Sequence, residues 1–185
     1  MDLKKHDLAL ETKINFKTIT TDHYEKLKSY FNEDYTLNPK YVYKLCSNGY
    51  IHFVVMEKKL DILTNESRED IIDHDYAKFR SNKLFVKQII NLKTMENCSE
   101  VINSITLGPD RKYTTYTVNQ DVIPDEFDLD LNKICTTGIH YYKTIHATYF
   151  LAQFPREKKY TGFWFECYDN GKLLKIAEYD IGFKL

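Results

Sequence analysis

Aromatic and β-branched runs bounded by turn residues recur along this chain and predict strands, with a few stretches of helical character between them. Over residues 22–32 (DHYEKLKSYFN), Tyr24, Leu27, Tyr30 and Phe31 recur at helical spacing behind a Thr21 or Asp22 cap, which predicts an amphipathic helix. Residues 41–46 and 50–56 read as strands joined through Ser47-Asn48-Gly49, a hairpin signal because Asn and Gly tolerate positive φ. The polar run 64–75 reads as a short surface helix, with Ser67 and Asp70 at capping-box spacing. Strands are predicted over 83–92, 98–106 and 112–119, with Gly108-Pro109-Asp110 separating the last two. After an acidic loop at 124–130 come a strand at 134–142 and an apolar helix that starts at a Thr144 cap and ends before Pro155. Finally, 163–168 and 173–179 flank Asp169-Asn170-Gly171-Lys172, which predicts a two-residue type I′ hairpin. The sum is an α+β fold, β-dominated, made of antiparallel hairpins with two or three short helices and a closing C-terminal hairpin.

Length and composition bound this picture. A chain of 185 residues with 43% hydrophobic residues, 15 Tyr and 11 Phe has ample apolar area for one core, so residues 1–185 are read as a single domain. Lys plus Arg number 26 against 27 Asp plus Glu. That balance removes the broad electrostatic attraction on which sequence-independent nucleic-acid binding depends. The N-terminal MDLKKHD mixes acidic and basic residues where a signal peptide needs a basic start and an apolar core. The most apolar stretch, residues 50–56, is seven residues long, far below the roughly 20 that cross a bilayer as a helix. No membrane association is expected. Cys46, Cys98, Cys135 and Cys167 lie far apart and form no C-x-x-C pair, so they read as reduced thiols in a cytosolic compartment. Lys, Ile, Tyr and Asn, which have AT-rich codons, total 65 residues, while Gly is 6, Arg 4 and Pro 4. The source genome is therefore read as AT-rich.

The densest collection of reactive types is Cys135-Thr136-Thr137-Gly138-Ile139-His140, followed by His146. A cysteine nucleophile needs a base within hydrogen-bond reach and a third group that orients the base. On one extended strand Cys135 and His140 would face opposite ways, roughly 16 Å apart, so a dyad requires a sharp bend at Gly138. The alternative is Cys135 as a small packed hydrophobe and His140 as a satisfied structural side chain. A zinc set of Cys135, His140, His146 and Cys167 matches no standard spacing, and the acidic loop lacks the Gly and terminal Glu of an EF-hand. No metal or other cofactor is assigned. Phosphate-binding glycine loops and the nucleophile elbow are absent from the sequence. Tyr141, Tyr142 and Trp164, with Tyr113 and Tyr116, are candidate binding aromatics, able in principle to stack on RNA bases beside nearby lysines.

Residues 127–142 (FDLDLNKICTTGIHYY) resemble a signature of mimivirus-like giant-virus proteins, F-[DN]-x-[DN]-x-x-x-x-C-[ST]-x-G-I-H-[FY]-[FY], and residues 77–92 resemble the start of the same uncharacterised domain. That domain commonly precedes MORN-type repeats. Tyr160-x-Gly162-x-Trp164, Tyr168-x-Asn170-Gly171-Lys172-Leu173 and Tyr179-x-x-Gly182 are similar to one such repeat. The resemblance implies a giant-virus signature region at 77–159 and a MORN-like hairpin at 160–185, and leaves 1–76 without a family match. It supplies no activity. Three readings stay open: a viral accessory protein acting by protein–protein interaction with a host or viral protein, a hydrolase or transferase using Cys135 and His140, and an RNA-binding protein. The implied location is host cytoplasm or viral factory, with packaging in the virion as a further option.

Overall fold

The computed structural model describes residues 14–104, 113–152, 161–180 and 183–184. A 3-10 turn at Phe16–Thr18 leads into α1 (Asp22–Lys28) and α2 (Glu33–Leu37). Thr21 Oγ1 accepts the Tyr24 N–H at 3.0 Å and Asn32 Oδ1 accepts the Tyr35 N–H at 2.9 Å, so each helix begins on a side-chain cap. The single helix expected over 22–32 stops at Lys28 because Asn32 starts a new one.

The strands that follow are β1 (Tyr41–Asn48), β2 (Tyr50–Glu57), β3 (Phe79–Ser81), β4 (Leu84–Asn91), β5 (Glu96–Asn97), β6 (Glu100–Ser104), β7 (Tyr113–Thr117), β8 (Asp121–Val122) and β9 (Ile139–Tyr141). Helix α3 (Ile145–Leu151), capped by Thr144 as its sequence predicts, precedes β10 (Gly162–Cys167), β11 (Leu173–Asp180) and β12 (Phe183–Lys184). The largest sheet runs β1-β2-β4-β5, with β8 also on β4, beside a β10-β11-β12 sheet and the pairs β3-β9 and β6-β7. All pairings are antiparallel. The protein has an α+β fold dominated by antiparallel sheet. Residues 105–112 and 153–160, which include Gly108-Pro109-Asp110 and Pro155, lie outside the described residues.

Strand β2 is buried from His52 to Met56 without alternation, because both faces of the sheet are covered. Tyr43, Phe53, Val55 and Ile90 pack toward α1, α3 and Phe165, while Val42, Val54, Met56, Val86 and Ile89 pack toward Phe79, Tyr116, Ile139 and Tyr141. Val86 and Ile89 are three apart yet reach the same core, since the β2-β4 register shifts between Val55 and Met56. Each fully buried aliphatic or aromatic side chain here contributes about 1.5–3 kcal/mol of burial energy.

The polar segment 64–75 is not a helix. Thr64 bridges to Ser81, and Asn65, fully buried, accepts the Arg80 N–H at 2.8 Å and donates to Lys133 O at 3.2 Å. The Arg68 guanidinium, also fully buried, donates to Lys78 O at 2.9 Å, Asp169 O at 2.8 Å and Asp70 Oδ1 at 2.7 Å. These inward-reaching polar groups wind the segment into turns, overriding its helical polarity pattern. The strand expected over 134–142 likewise shrinks to β9, because the carbonyls before it are spent on side chains.

The turn of the β10-β11 hairpin plugs into this wound segment. Asn170 O accepts from Ile72 N at 2.9 Å and Asp73 N at 3.3 Å, and Asp169 O accepts from Lys78 N at 3.0 Å. The turn closes through Gly171 N–H to Tyr168 O at 2.9 Å, with neither Asp169 nor Asn170 at positive φ and Gly171 at φ +84°. It is a three-residue loop with a left-handed glycine rather than a type I′ turn, because Asn170 O has to face Ile72 and Asp73. A Cβ at Gly171 would lie 2.2 Å from Asp73 O. Gly171→Ala therefore combines left-handed strain with a backbone clash. It is expected to lower stability by at least about 2 kcal/mol and the melting temperature by roughly 4–8 °C, as read by urea and thermal unfolding.

Candidate functional site

Arg80 builds the site although it never faces the solvent. It sits at the centre of three-residue β3 with 0% exposure, and its guanidinium meets backbone carbonyls. Nε donates to Lys133 O at 2.9 Å, Nη1 to Asp128 O at 2.5 Å and Thr137 O at 3.3 Å, and Nη2 to Asp130 O, while the Phe127 ring lies 4.7 Å from Cζ. Five donors in a rigid fork suit such a set of carbonyls. Residues 127–137 are thereby wrapped around one side chain. Asp128 adds a side-chain tie, accepting from Thr136 Oγ1 at 3.0 Å and from Lys133 Nζ at 3.2 Å.

The wrapped loop forms one wall of an open cleft of ≈ 510 Å³. Residues 135–140 line it, facing Lys44 of β1, Asn103 of β6, Thr114 and Tyr116 of β7, the 124–126 loop and Lys78. Asp125 and Glu126 are exposed at this loop, whereas Lys44 and Lys78 are half-buried. Lys44 Nζ donates to His140 O at 3.1 Å and Lys78 Nζ approaches Cys135 Sγ at 3.8 Å. Burial, reinforced by the charge on Lys78, pulls the Lys44 pKa below the ordinary lysine value.

Cys135 and His140 thus share the cleft, but they are not joined to each other. The exposed Cys135 thiol donates to Asp169 Oδ2 at 3.0 Å, and this carboxylate, with partial burial, raises the thiol pKa. His140 Nε2 donates to Ile134 O at 3.0 Å, so the neutral ring carries its proton there and Nδ1 is a bare acceptor. Burial, then the charges of Lys44, Lys78 and Arg80, pull the His140 pKa down to about 4. Gly138 does take the positive φ its position allows, at +138°, with Phe127 and Ser81 O pressed against it. The bend shapes the loop without bringing thiol to imidazole.

The other candidates fall elsewhere. His146 is a structural histidine: Nε2 donates to Ile19 O at 2.7 Å, Tyr76 OH donates to Nδ1 at 3.0 Å, and the ring stacks on Phe165 at 5.4 Å. It and Cys167 pack with the aromatic core. Among the described residues no group of three or more His, Cys, Asp or Glu could hold a metal ion. Tyr141 is buried with its OH donating to Glu66 Oε1 at 2.6 Å, Tyr142 is half-buried with its backbone bridged to Tyr43, and Trp164 Nε1 donates to Phe150 O at 3.1 Å. Of the candidate aromatics Tyr141 and Tyr116 are buried, Tyr142 and Trp164 half-buried, and Tyr113 exposed. Among the described residues no helix is long and apolar enough to cross a membrane.

A family model, described as a family of unknown function (DUF5758), matches residues 27–148, more than half of the chain. The chain belongs to that family. No curated protein and no solved structure matches. The matched span contains every residue that lines the cleft, from Lys44 to His140. Asp169 and the β10-β11 hairpin lie beyond it, so the carboxylate on Cys135 comes from outside the family region.

Lys44, Lys78, Asp169 and Arg80 are the site residues that motif reading passes over. Arg80 is one of four arginines in the chain and is flanked by Phe79 and Ser81, a context that marks no site. Arg80→Met is expected to cost roughly 3–5 kcal/mol by orphaning the carbonyls. Hydrogen exchange should show residues 134–138 losing protection while the β1-β2 hairpin keeps it. His140 is neutral when folded and titrates near 6.5 when unfolded, so its contribution is intact above pH 6.5 and is lost as pH falls toward 4. Between pH 7.5 and 4.5, urea midpoints should fall by the equivalent of roughly 2.5 kcal/mol for this group. His140→Asn should flatten that slope, leaving the smaller same-sign contributions of His52 and His146.

Proposed function

We propose that this chain is a non-enzymatic viral accessory protein that binds another protein, and that the cleft beside the Arg80 loop is its recognition site. The observation that carries this reading is the spent state of the reactive pair. The Cys135 thiol donates to the Asp169 carboxylate, which raises its pKa, and the His140 ring donates to Ile134 O with no hydrogen bond to the thiol, so the imidazole does not stand on the nucleophile. A thiol whose pKa is raised is a poor nucleophile at neutral pH. The hydrolase or transferase reading therefore loses its dyad, and the RNA reading loses the buried Tyr141.

Giant-virus origin is supported by the AT-rich residue usage and by the likeness of residues 127–142 to the viral signature, a stretch inside the family-matched span. The β10-β11 hairpin supports the MORN-like reading through its glycine-punctuated aromatic strands. In this proposal the hairpin is a fixed plug that braces the cleft, and the protein works in the host cytoplasm or viral factory, or packaged in the virion.

Two measurements test the reading. Chloroacetamide labelling at pH 7, followed by mass spectrometry, should modify Cys135 more slowly than free cysteine, and faster labelling would restore the nucleophile. A photo-crosslinker at Thr137, on the cleft wall, should capture one defined protein in infected cells, whereas the same group at Glu69 should not. Equal capture from both positions would sink the recognition site.

A further inference from the structure

The charge balance inside the cleft identifies what kind of group it receives, and the argument rests on the cleft being a recognition site for a protein. Lys44 and Lys78 bring two half-buried ammonium groups to one cleft. Lys44 has three N–H donors and spends one on His140 O, while Lys78 has only a distant sulfur. Neither forms an ion pair with a carboxylate among the described residues. Buried cations normally have a partner. The nearby negative groups are accounted for differently: Asp125 and Glu126 are exposed to solvent, where water screens them, and Asp169 is occupied by Cys135.

His140 adds a second requirement. Its Nδ1 has no hydrogen-bond partner among the described residues, and no buried side-chain nitrogen or oxygen is left unpartnered, so Nδ1 is open to the cleft that its residue lines. A bare imidazole nitrogen repels an anion's lone pairs and welcomes an N–H. The occupant should therefore carry one negative group and, beside it, a hydrogen-bond donor. A phosphate dianion suits this poorly, because its acceptor oxygens leave nothing to donate to Nδ1. A polypeptide carboxylate with its neighbouring amide meets both needs.

We infer that the cleft seats a carboxylate of the partner protein between the Lys44 and Lys78 ammonium groups, with an adjacent backbone N–H of the partner donating to His140 Nδ1. The carboxylate is a chain terminus or an acidic side chain, the two sources of this chemistry in a protein.

NMR titration of the full chain with small probes tests this. N-acetylglycine, which carries a carboxylate beside an amide N–H, should shift the Lys44, Lys78 and His140 side-chain signals saturably. Acetate should bind more weakly, N-acetylglycinamide should leave the signals unmoved, and a comparison with N-acetylglutamic acid α-amide assigns the chain end or the side chain as the tighter ligand. Lys44→Gln and Lys78→Gln should each weaken N-acetylglycine by about tenfold, with urea midpoints verifying that both variants fold and Lys44→Arg retaining binding. Absence of saturable shifts, unchanged affinity in both Gln variants, equal binding of the amide, or tighter binding of inorganic phosphate would each overturn the inference. Silent probes with cross-linking at Thr137 intact remove the carboxylate and leave the protein-binding reading standing. Probe binding without any cross-link removes the protein partner instead.

Discussion

A guanidinium with no exposed surface needs partners for its N–H groups, and in this chain Arg80 makes four hydrogen bonds to the backbone. The carbonyls of Asp128, Asp130, Lys133 and Thr137 can converge on one point only if the loop that bears them curls around it. From that requirement follow the shortness of β9, the position of Gly138 against Phe127 and the exposure of residues 135–137 on a cleft wall. Asn65 links the same strand to the preceding segment by holding the Arg80 N–H and Lys133 O together. The site is thus a by-product of solvating one cation inside the fold.

Arg68 repeats the device twelve residues earlier, and its carbonyl partners lie on Lys78 and on Asp169 of the C-terminal hairpin turn. Two arginines therefore organise opposite sides of β3. One shapes the family-matched loop; the other ties that loop's neighbourhood to a hairpin beyond the matched span, whose Asp169 then reaches the Cys135 thiol. Burial of Phe53, Val54, Val55 and Met56 on both faces of β2 supplies the driving force, and the two arginines decide which chain segments close over it.

How much of this was legible in the sequence depends on where each partner sits. Hairpins at Gly49 and Gly171, and the Thr144 cap, rest on local rules in which side chain and consequence lie within four residues, so they could be read directly. The turn at Gly171 was read one loop type away, because Asn-Gly serves both a type I′ turn and a left-handed closing glycine, and only docking against Asp73 distinguishes them. Residues 64–75 misled because polarity there serves buried hydrogen bonds to segments far along the chain. Cys135 and His140 stand out by residue type and by proximity in sequence, but their partners Asp169 and Ile134 O carry no motif. Lys44 and Lys78 meet only through the β1-β9 neighbourhood. A guanidinium bound by carbonyls leaves no residue-type trace at all, since every residue has a carbonyl.

That last fact has an evolutionary side. The loop around Arg80 is held by main-chain oxygens, so its shape is largely indifferent to the side chains that project from Leu129, Leu131 and Asn132. Exchange of those side chains therefore leaves one unchanged cast of the backbone. The same arginine that fixes the form leaves the loop's chemistry open to drift.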